Sequence, residues 1–284
     1  MTNGGEDPGA APDDANDLRG YYFRLLLGKT GVRIAIAAAA IVGAVAGTLL
    51  AGPAVGAAGL AVATIIALSI VFGVADSRSE DAFFQVYGEQ HGMAVYGKGR
   101  LPEATPLLRK GDDRYAERSL EGPLGDGVDG TLALYTYEDE TTDSEGNRQT
   151  NYYRYTVALA NVPECAGFVP ELYCQRKSGL RALEKFEDVF RRSKERIKLE
   201  SEALDKRYEI FAGKGQDAVW LRQLFSPTFI VWLSDSAPEK FAFELVDGTL
   251  CCYVGGHKKK AAELDTVRAA STAVATRLRE EAQE

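Results

Sequence analysis

Ile34–Leu50 reads IAIAAAAIVGAVAGTLL and, across Ala51-Gly52, Pro53–Ala75 reads PAVGAAGLAVATIIALSIVFGVA. No charged side chain interrupts either run. One bilayer crossing needs about 20 apolar residues, so the stretch holds enough chain for two. Ile34, Ile36, Ile41, Val42, Val45, Leu49 and Leu50 together favour insertion by roughly 2 to 4 kcal/mol. The second run is richer in Leu, Ile, Val and Phe and is the stronger inserter. Pro53 suits the first turn of a helix, where its missing N–H is harmless. The expectation is therefore a transmembrane helical hairpin over 34–75 with a very short turn. A secretory signal fits poorly, because the charged region before Ile34 is long and a second span follows at once. A buried hairpin of a soluble protein would rarely need so long an apolar run.

Charge sets the expected orientation. Arg19, Arg24, Lys29 and Arg33 precede the first span, Arg78, Lys98 and Arg100 follow the second, and the turn carries none. Positive flanks stay in the cytoplasm. Both termini are then expected inside, with the chain multi-pass in the cell (inner) membrane and residues 76–284 forming a cytosolic domain.

Ala39, Gly43, Gly47 and Ala51 recur every fourth residue, as do Gly59, Ala63 and Ala67. Such ridges let helix backbones approach closely in lipid. Closing the hairpin is the plainer role; driving self-association is the sharper one. Polar side chains inside the spans are Thr48, Thr64 and Ser69, and no ionisable group lies at membrane depth. A conducting or transporting chain would normally place one there, so the spans read as an anchor.

Residues 1–17 are largely small, polar or acidic, and read as a disordered arm. In 18–33, Asp17 is a candidate cap for a short helix. Arg19, Tyr21, Tyr22, Arg24, Lys29 and Arg33 form the candidate membrane-interface set, since aromatics and cations suit the headgroup level.

The remainder has an α+β pattern of antiparallel hairpins with helices between them. A helix is expected from Ser79 to Gly92, with Phe83, Phe84 and Tyr87 on one side. Strands are expected at Thr131–Tyr137 and Tyr153–Leu159, joined through the polar turn 143–147. A further strand is expected over Gly167–Cys174, then a helix over Gly179–Arg192 with Leu180, Leu183, Phe186 and Phe190 as its apolar stripe. Glu195–Phe211 reads as strand, short helix, strand. Gln216–Leu233 reads as helical on either side of Pro227. Asp247-Gly248 between alternating runs marks a tight hairpin. A last helix begins near Lys260, with Leu264, Val267, Ser271, Val274 and Leu278 facing the sheet.

Little in the chain points to chemistry. The formal net charge is −8, which argues against a nucleic-acid partner. Cys165, Cys174, Cys251 and Cys252 lack paired zinc spacing, and a reducing compartment disfavours disulfides. Neighbouring residues of a strand point to opposite faces. Cys252 therefore joins Phe243 and Leu245, while Cys251 joins Glu244 and Tyr253. A Cys251/His257 nucleophile pair rests on closeness in sequence alone. His257 opens His-Lys-Lys-Lys, read as a solvated basic patch or a second lipid contact. Gly125–Gly130 spells G-x-G-x-x-G but leads into a strand, where a phosphate loop must open a helix. The run Glu138–Glu145 lacks calcium-loop spacing. No catalytic, cofactor-binding or metal residue is assigned, and no cofactor is expected.

Several stretches carry a resemblance: Leu120–Pro123, Gly130–Tyr137, Val169–Cys174, Leu199–Glu202 with Arg207–Phe211, Leu221–Pro227 and Phe241–Tyr253. Together they resemble conserved hypothetical integral membrane proteins of actinobacteria, which pair a two-helix anchor with a cytoplasmic domain. That resemblance implies the architecture and no activity. The expected function is a membrane-anchored cytosolic binding or regulatory module, more readily a non-enzyme than an enzyme, with the lipid bilayer and a protein partner or a second copy as its contacts. Rival readings are a membrane-tethered hydrolase using Cys251 or a carboxylate, and an accessory subunit of a larger membrane complex.

Overall fold

Gly and Pro punctuate the amino-terminal helices where the sequence places them. The computed structural model describes residues 12–142, 146–177 and 194–283. The expected helix over 179–192 and most of the 143–147 turn lie outside the described residues. Two compact units arise: Met1–Tyr87 with Lys259–Ala261, and Gly88–Lys258 with Ala262–Glu284.

The first unit is helical, with α1 at Arg19–Gly28, α2 at Thr30–Ala51 and α3 starting at Pro53. Gly52 alone separates α2 from α3; its φ of +90° is open to glycine at little cost. α2 and α3 are long and apolar enough to cross a membrane. Only 6% of each helix's most apolar window is buried, and Leu49 and Leu50 are 82% and 84% exposed. α3 runs on to His91 as one element of 39 residues, about 58 Å at 1.5 Å per residue. The separate helix expected from Ser79 is thus the continuation of the second apolar run. No Gly or Pro stands between Gly73 and Gly88, so nothing breaks the helix where polarity changes. It ends at Gly92, whose φ is +65°, with Met93 N donating to Gly88 O at 2.8 Å.

Residues 13–17, expected within a disordered arm, are held. Ala15 N donates to Lys259 O, and Ala261 N to Asp13 O, each at 2.9 Å. The Ser79 hydroxyl donates to Ala15 O at 2.6 Å. Asp17 does not cap α1. Its carboxylate accepts from Asp13 N and Asp14 N at 2.9 and 2.8 Å, closing the turn before the helix.

The second unit is a nine-stranded sheet in the order β1-β2-β3-β4-β9-β8-β5-β7-β6. The strands are β1 Ala94–Tyr96, β2 Asp113–Gly125, β3 Val128–Thr142, β4 Arg148–Asn161, β5 Glu171–Arg176, β6 Lys194–Ile197, β7 Tyr208–Gly213, β8 Ala242–Val246 and β9 Thr249–Gly255. Every pairing is antiparallel. The expected hairpins are present. At Asp247-Gly248 both residues have positive φ, 48° and 77°, as a two-residue turn of matching twist requires. Gly125-Asp126-Gly127 is the β2–β3 turn, so the glycine pattern there is a hairpin connection.

β2 is the strand that sequence periodicity hides. Its register shifts between Ala116 and Arg118 and again between Pro123 and Gly125, so a two-residue period does not run through it. The α-helices that accompany these strands are α4 Glu202–Arg207, α5 Ala218–Leu224, α6 Pro227–Val231 and α7 Ala261–Gln283. Ser201, Asp217 and Ser226 cap α4, α5 and α6 through side-chain oxygens.

Both faces of the central strands are buried. On one face lie Tyr135, Tyr155, Val157, Cys251 and Tyr253, covered by Leu107 and Leu108. The other face carries Phe243, Leu245 and Cys252, opposite in pleat and fully buried. α7 buries Leu264, Val267, Val274 and Leu278. Its Leu278 carbonyl accepts from the Cys165 thiol at 3.2 Å, and its Glu281 carbonyl accepts from Trp220 Nε1 at 3.2 Å. Cys252 and Ser271 interact through their side chains.

Candidate functional site

The small-residue ridges meet inside the hairpin. A Cβ added at Gly43 would collide with the Gly59 carbonyl, and one at Gly59 with that of Gly43. One at Gly47 would stand 2.5 Å from Val55 O. Ala63 lies against Gly43, its Cβ 2.8 Å from the added atom. Gly56 belongs to the same seam, pressed on Thr48 and Ala44 O. Sequence reading missed it; the signal was its place three residues before Gly59. Ala39 and Ala67 border a crevice farther from the turn, and Ala51 is exposed at the end of α2. The Thr48 and Thr64 hydroxyls donate to Ala44 O and Leu60 O, each at 2.8 Å. Hydroxyls are thereby satisfied within their own helix.

The basic–aromatic set divides. Arg19 does not face outward: its Nε donates to Asp76 Oδ1 at 2.6 Å, and its guanidinium lies 5.2 Å from the Phe72 ring centre. Phe23 meets the same ring edge-on at 5.9 Å. Tyr21 and Tyr22 pack against each other at 5.4 Å. Arg24, Lys29 and Arg33 are exposed, with Arg33 Nε donating to Leu27 O at 2.6 Å. Lys258, Lys259 and Lys260 lie 3.3, 2.6 and 3.8 Å from Glu263, Glu80 and Asp14. Carboxylates thus meet the run read as a solvated or lipid-facing patch.

His257 is a further correction, because its side chain is only 7% exposed. Its Nε2 lies 3.1 Å from Tyr135 O and 3.2 Å from Thr136 Oγ1. Its Nδ1 is 3.6 Å from Glu117 Oε2. Hydroxyl, imidazole and carboxylate have the membership of a nucleophilic triad. Hydrogen bonding argues against that role. A carbonyl oxygen only accepts, so Nε2 carries the proton and has no lone pair for the hydroxyl. Thr136 instead donates to Glu117 Oε1 at 3.2 Å. Cys251 lies across the sheet from Thr136, so the Cys251/His257 pair does not assemble.

The most unusual group is Glu244, fully buried in β8 between Phe243 and Leu245. Its Oε2 accepts from Leu107 N at 2.9 Å, and the Thr105 hydroxyl acts on the same carboxyl. Burial pushes this carboxyl above its ordinary value, against the pull of the Leu107 amide and the Lys110 charge. Lys110 is only 4% exposed, and burial brings its pKa down to about 8. The Tyr135 hydroxyl donates to Leu107 O at 3.3 Å. Leu107 is thus gripped at both its N–H and its C=O. Cys251 is fully buried, and burial with the nearby Glu244 raises its thiol well above the ordinary value. A thiol kept protonated is a poor nucleophile. The cluster pins the segment carrying Leu107 and Leu108 onto the sheet. A charged residue within the otherwise apolar Phe241–Val246 was the available signal.

A surface cleft of about 420 Å³ is lined by His91, Asp126, Asp265, Arg268 and Thr272 among others. His91 Nδ1 accepts from Arg268 at 2.8 Å, and Nε2 lies 3.2 Å from Asp265. Partial burial and the Arg268 charge lower the His91 pKa. Among the described residues, no group of three or more His, Cys, Asp or Glu side chains is placed to hold a metal ion.

Fold and sites define an α+β protein in which two long apolar helices precede a nine-stranded antiparallel sheet. Neither a known protein family, nor a curated protein, nor a solved structure matches the chain.

Proposed function

We propose that this chain is an integral membrane protein with both termini in the cytoplasm, presenting its sheet domain there as a binding or regulatory module. The observation that carries the reading is the bare apolar surface of α2 and α3, typified by Leu49 and Leu50 at 82% and 84% exposure. A core helix of a soluble protein would bury such side chains; a bilayer solvates them without loss. Basic residues flanking both spans, with an uncharged turn, support the orientation. The Arg19–Asp76 pair joins the segments that flank the two spans, as a hairpin with both ends on one side requires.

A module, in preference to a hydrolase, is supported by the burial of the reactive groups. All four cysteines are buried, Glu244 is closed off, and the His257 nitrogen nearest Thr136 also lies against the Tyr135 carbonyl. The resemblance to actinobacterial membrane proteins belongs to the same proposal and rests on the sequence stretches quoted above.

Alkaline phosphatase fused after Glu284 should be inactive and a fluorescent protein at the same position bright. The reverse pattern would put the domain outside and end the proposal. Crosslinking in native membranes, followed by mass spectrometry, should capture a protein partner or a second copy. Iodoacetamide should leave the folded thiols untouched. Loss of any acyl or peptidyl turnover on modifying Cys251 would favour the enzyme instead.

A further inference from the structure

The hairpin is closed near its turn by Gly43, Gly47, Gly56 and Gly59. Nearer its charged end the two helices leave a crevice of about 370 Å³, lined only by apolar side chains, among them Leu26, Val32, Ile36, Ile70 and Val74. Ala39 and Ala67 border it at the closed side. Where α1 turns into α2, the chain passes from Leu26 to Val32 through Lys29, which ends one helix and begins the next. Arg33 reaches back to the Leu27 carbonyl at 2.6 Å, so its guanidinium sits at this same corner. Lys29 and Arg33 are both exposed.

We infer that this crevice is a binding site for one anionic phospholipid, with an acyl chain in the crevice and the headgroup phosphate at Lys29 and Arg33. The inference rests on the membrane reading above. A transmembrane partner helix would need no charge at the crevice mouth, whereas a phospholipid offers both an apolar chain and a negative head. The charge pattern matches that pair of demands. A basic residue near anionic headgroups contributes about 1 kcal/mol, or roughly fivefold. Two of them give an expected preference for anionic over zwitterionic lipid of about twenty-five-fold.

The test uses the full-length chain, purified in detergent and titrated with phosphatidylglycerol or phosphatidylcholine, with bound species weighed by native mass spectrometry. One phosphatidylglycerol should be retained per chain, about twenty-five-fold more tightly than phosphatidylcholine. Lys29→Gln with Arg33→Gln should bring the two lipids to equal affinity. Ala35→Phe, which fills the crevice, should remove the retained lipid of either kind. Equal retention of both lipids by the unaltered chain overturns the inference. So does an unchanged preference in the double variant, or a second polypeptide in place of lipid. Carbonate extraction of cell membranes separates this result from failure of the anchor. A chain that stays in the membrane yet shows no lipid preference loses the site alone, whereas a chain released by carbonate loses both.

Discussion

The helical hairpin and the nine-stranded sheet use the same apolar residue types in opposite directions. In α2 and α3 most Leu, Ile and Val are exposed, and near the turn the contact between helices is made by residues with little or no side chain. In the sheet, large side chains such as Phe243 and Tyr253 are fully enclosed, and the strands carry buried residues on both faces. The difference teaches that apolar content alone does not say where a core lies. Burial of Phe243 is driven by removing apolar surface from water. If α2 and α3 lie in lipid, as proposed, that force is absent between them and close backbone approach takes its place.

The contrast breaks most sharply at Phe243. Phe243→Ala should destabilise the sheet unit by about 3–5 kcal/mol, lowering its thermal midpoint while leaving carbonate-resistant membrane association intact. Equal loss of both would mean that the two units do not differ as argued. Gly43→Leu tests the other side. Its side chain has no room against the Gly59 carbonyl, and overpacking of this kind costs about 1–3 kcal/mol. Faster proteolysis between Thr30 and Ala75 in detergent is expected, with the sheet unit's midpoint unmoved; unchanged cleavage would sink the seam.

Glu244 sharpens the comparison from within the sheet, as a carboxyl enclosed where the hairpin admits no ionisable group. Its folded value is raised above the ordinary 4.5. Its contribution is therefore full below that value and is lost as pH rises through the folded value. Glu244→Gln keeps an oxygen for Leu107 N but does not titrate. Stability of the variant relative to the parent should climb as pH rises from the ordinary carboxylate range. Parallel pH profiles of the two would refute the assignment. The smallest effect belongs to His91, whose folded value lies below 6.5. Its contribution is complete above 6.5 and falls as pH drops through the folded value. His91→Gln should flatten that acid slope slightly, as read by thermal unfolding at a series of pH values.

Periodicity was legible where one force dominated. The uncharged runs marked α2 and α3, the Asp247-Gly248 turn marked β8 and β9, and the Leu264–Leu278 stripe marked α7. It failed at β2, where two register shifts and Pro123 scramble the alternation and pairing with β3 supplies the order. It failed again at Ser79, because a change from apolar to polar composition does not by itself stop a helix. The helix-packing ridge was inferred from spacing, since small residues every fourth position share a face. Gly56 escaped because it joins that face from a three-residue step.

Sequence by itself determined the apolar hairpin, its charged flanks, the α+β class and the two opposed faces of β9, because these depend on local composition and on periods of 2 and 3.6 residues. Tertiary structure alone decided that residues 13–17 are tied to 259–261, that His257 is enclosed with its Nε2 against Tyr135 O, and that Glu244 meets Leu107 from 137 positions away. Those outcomes depend on which distant groups share a site. A charge or a hydroxyl in a linear chain carries no mark of the partner that will desolvate or satisfy it.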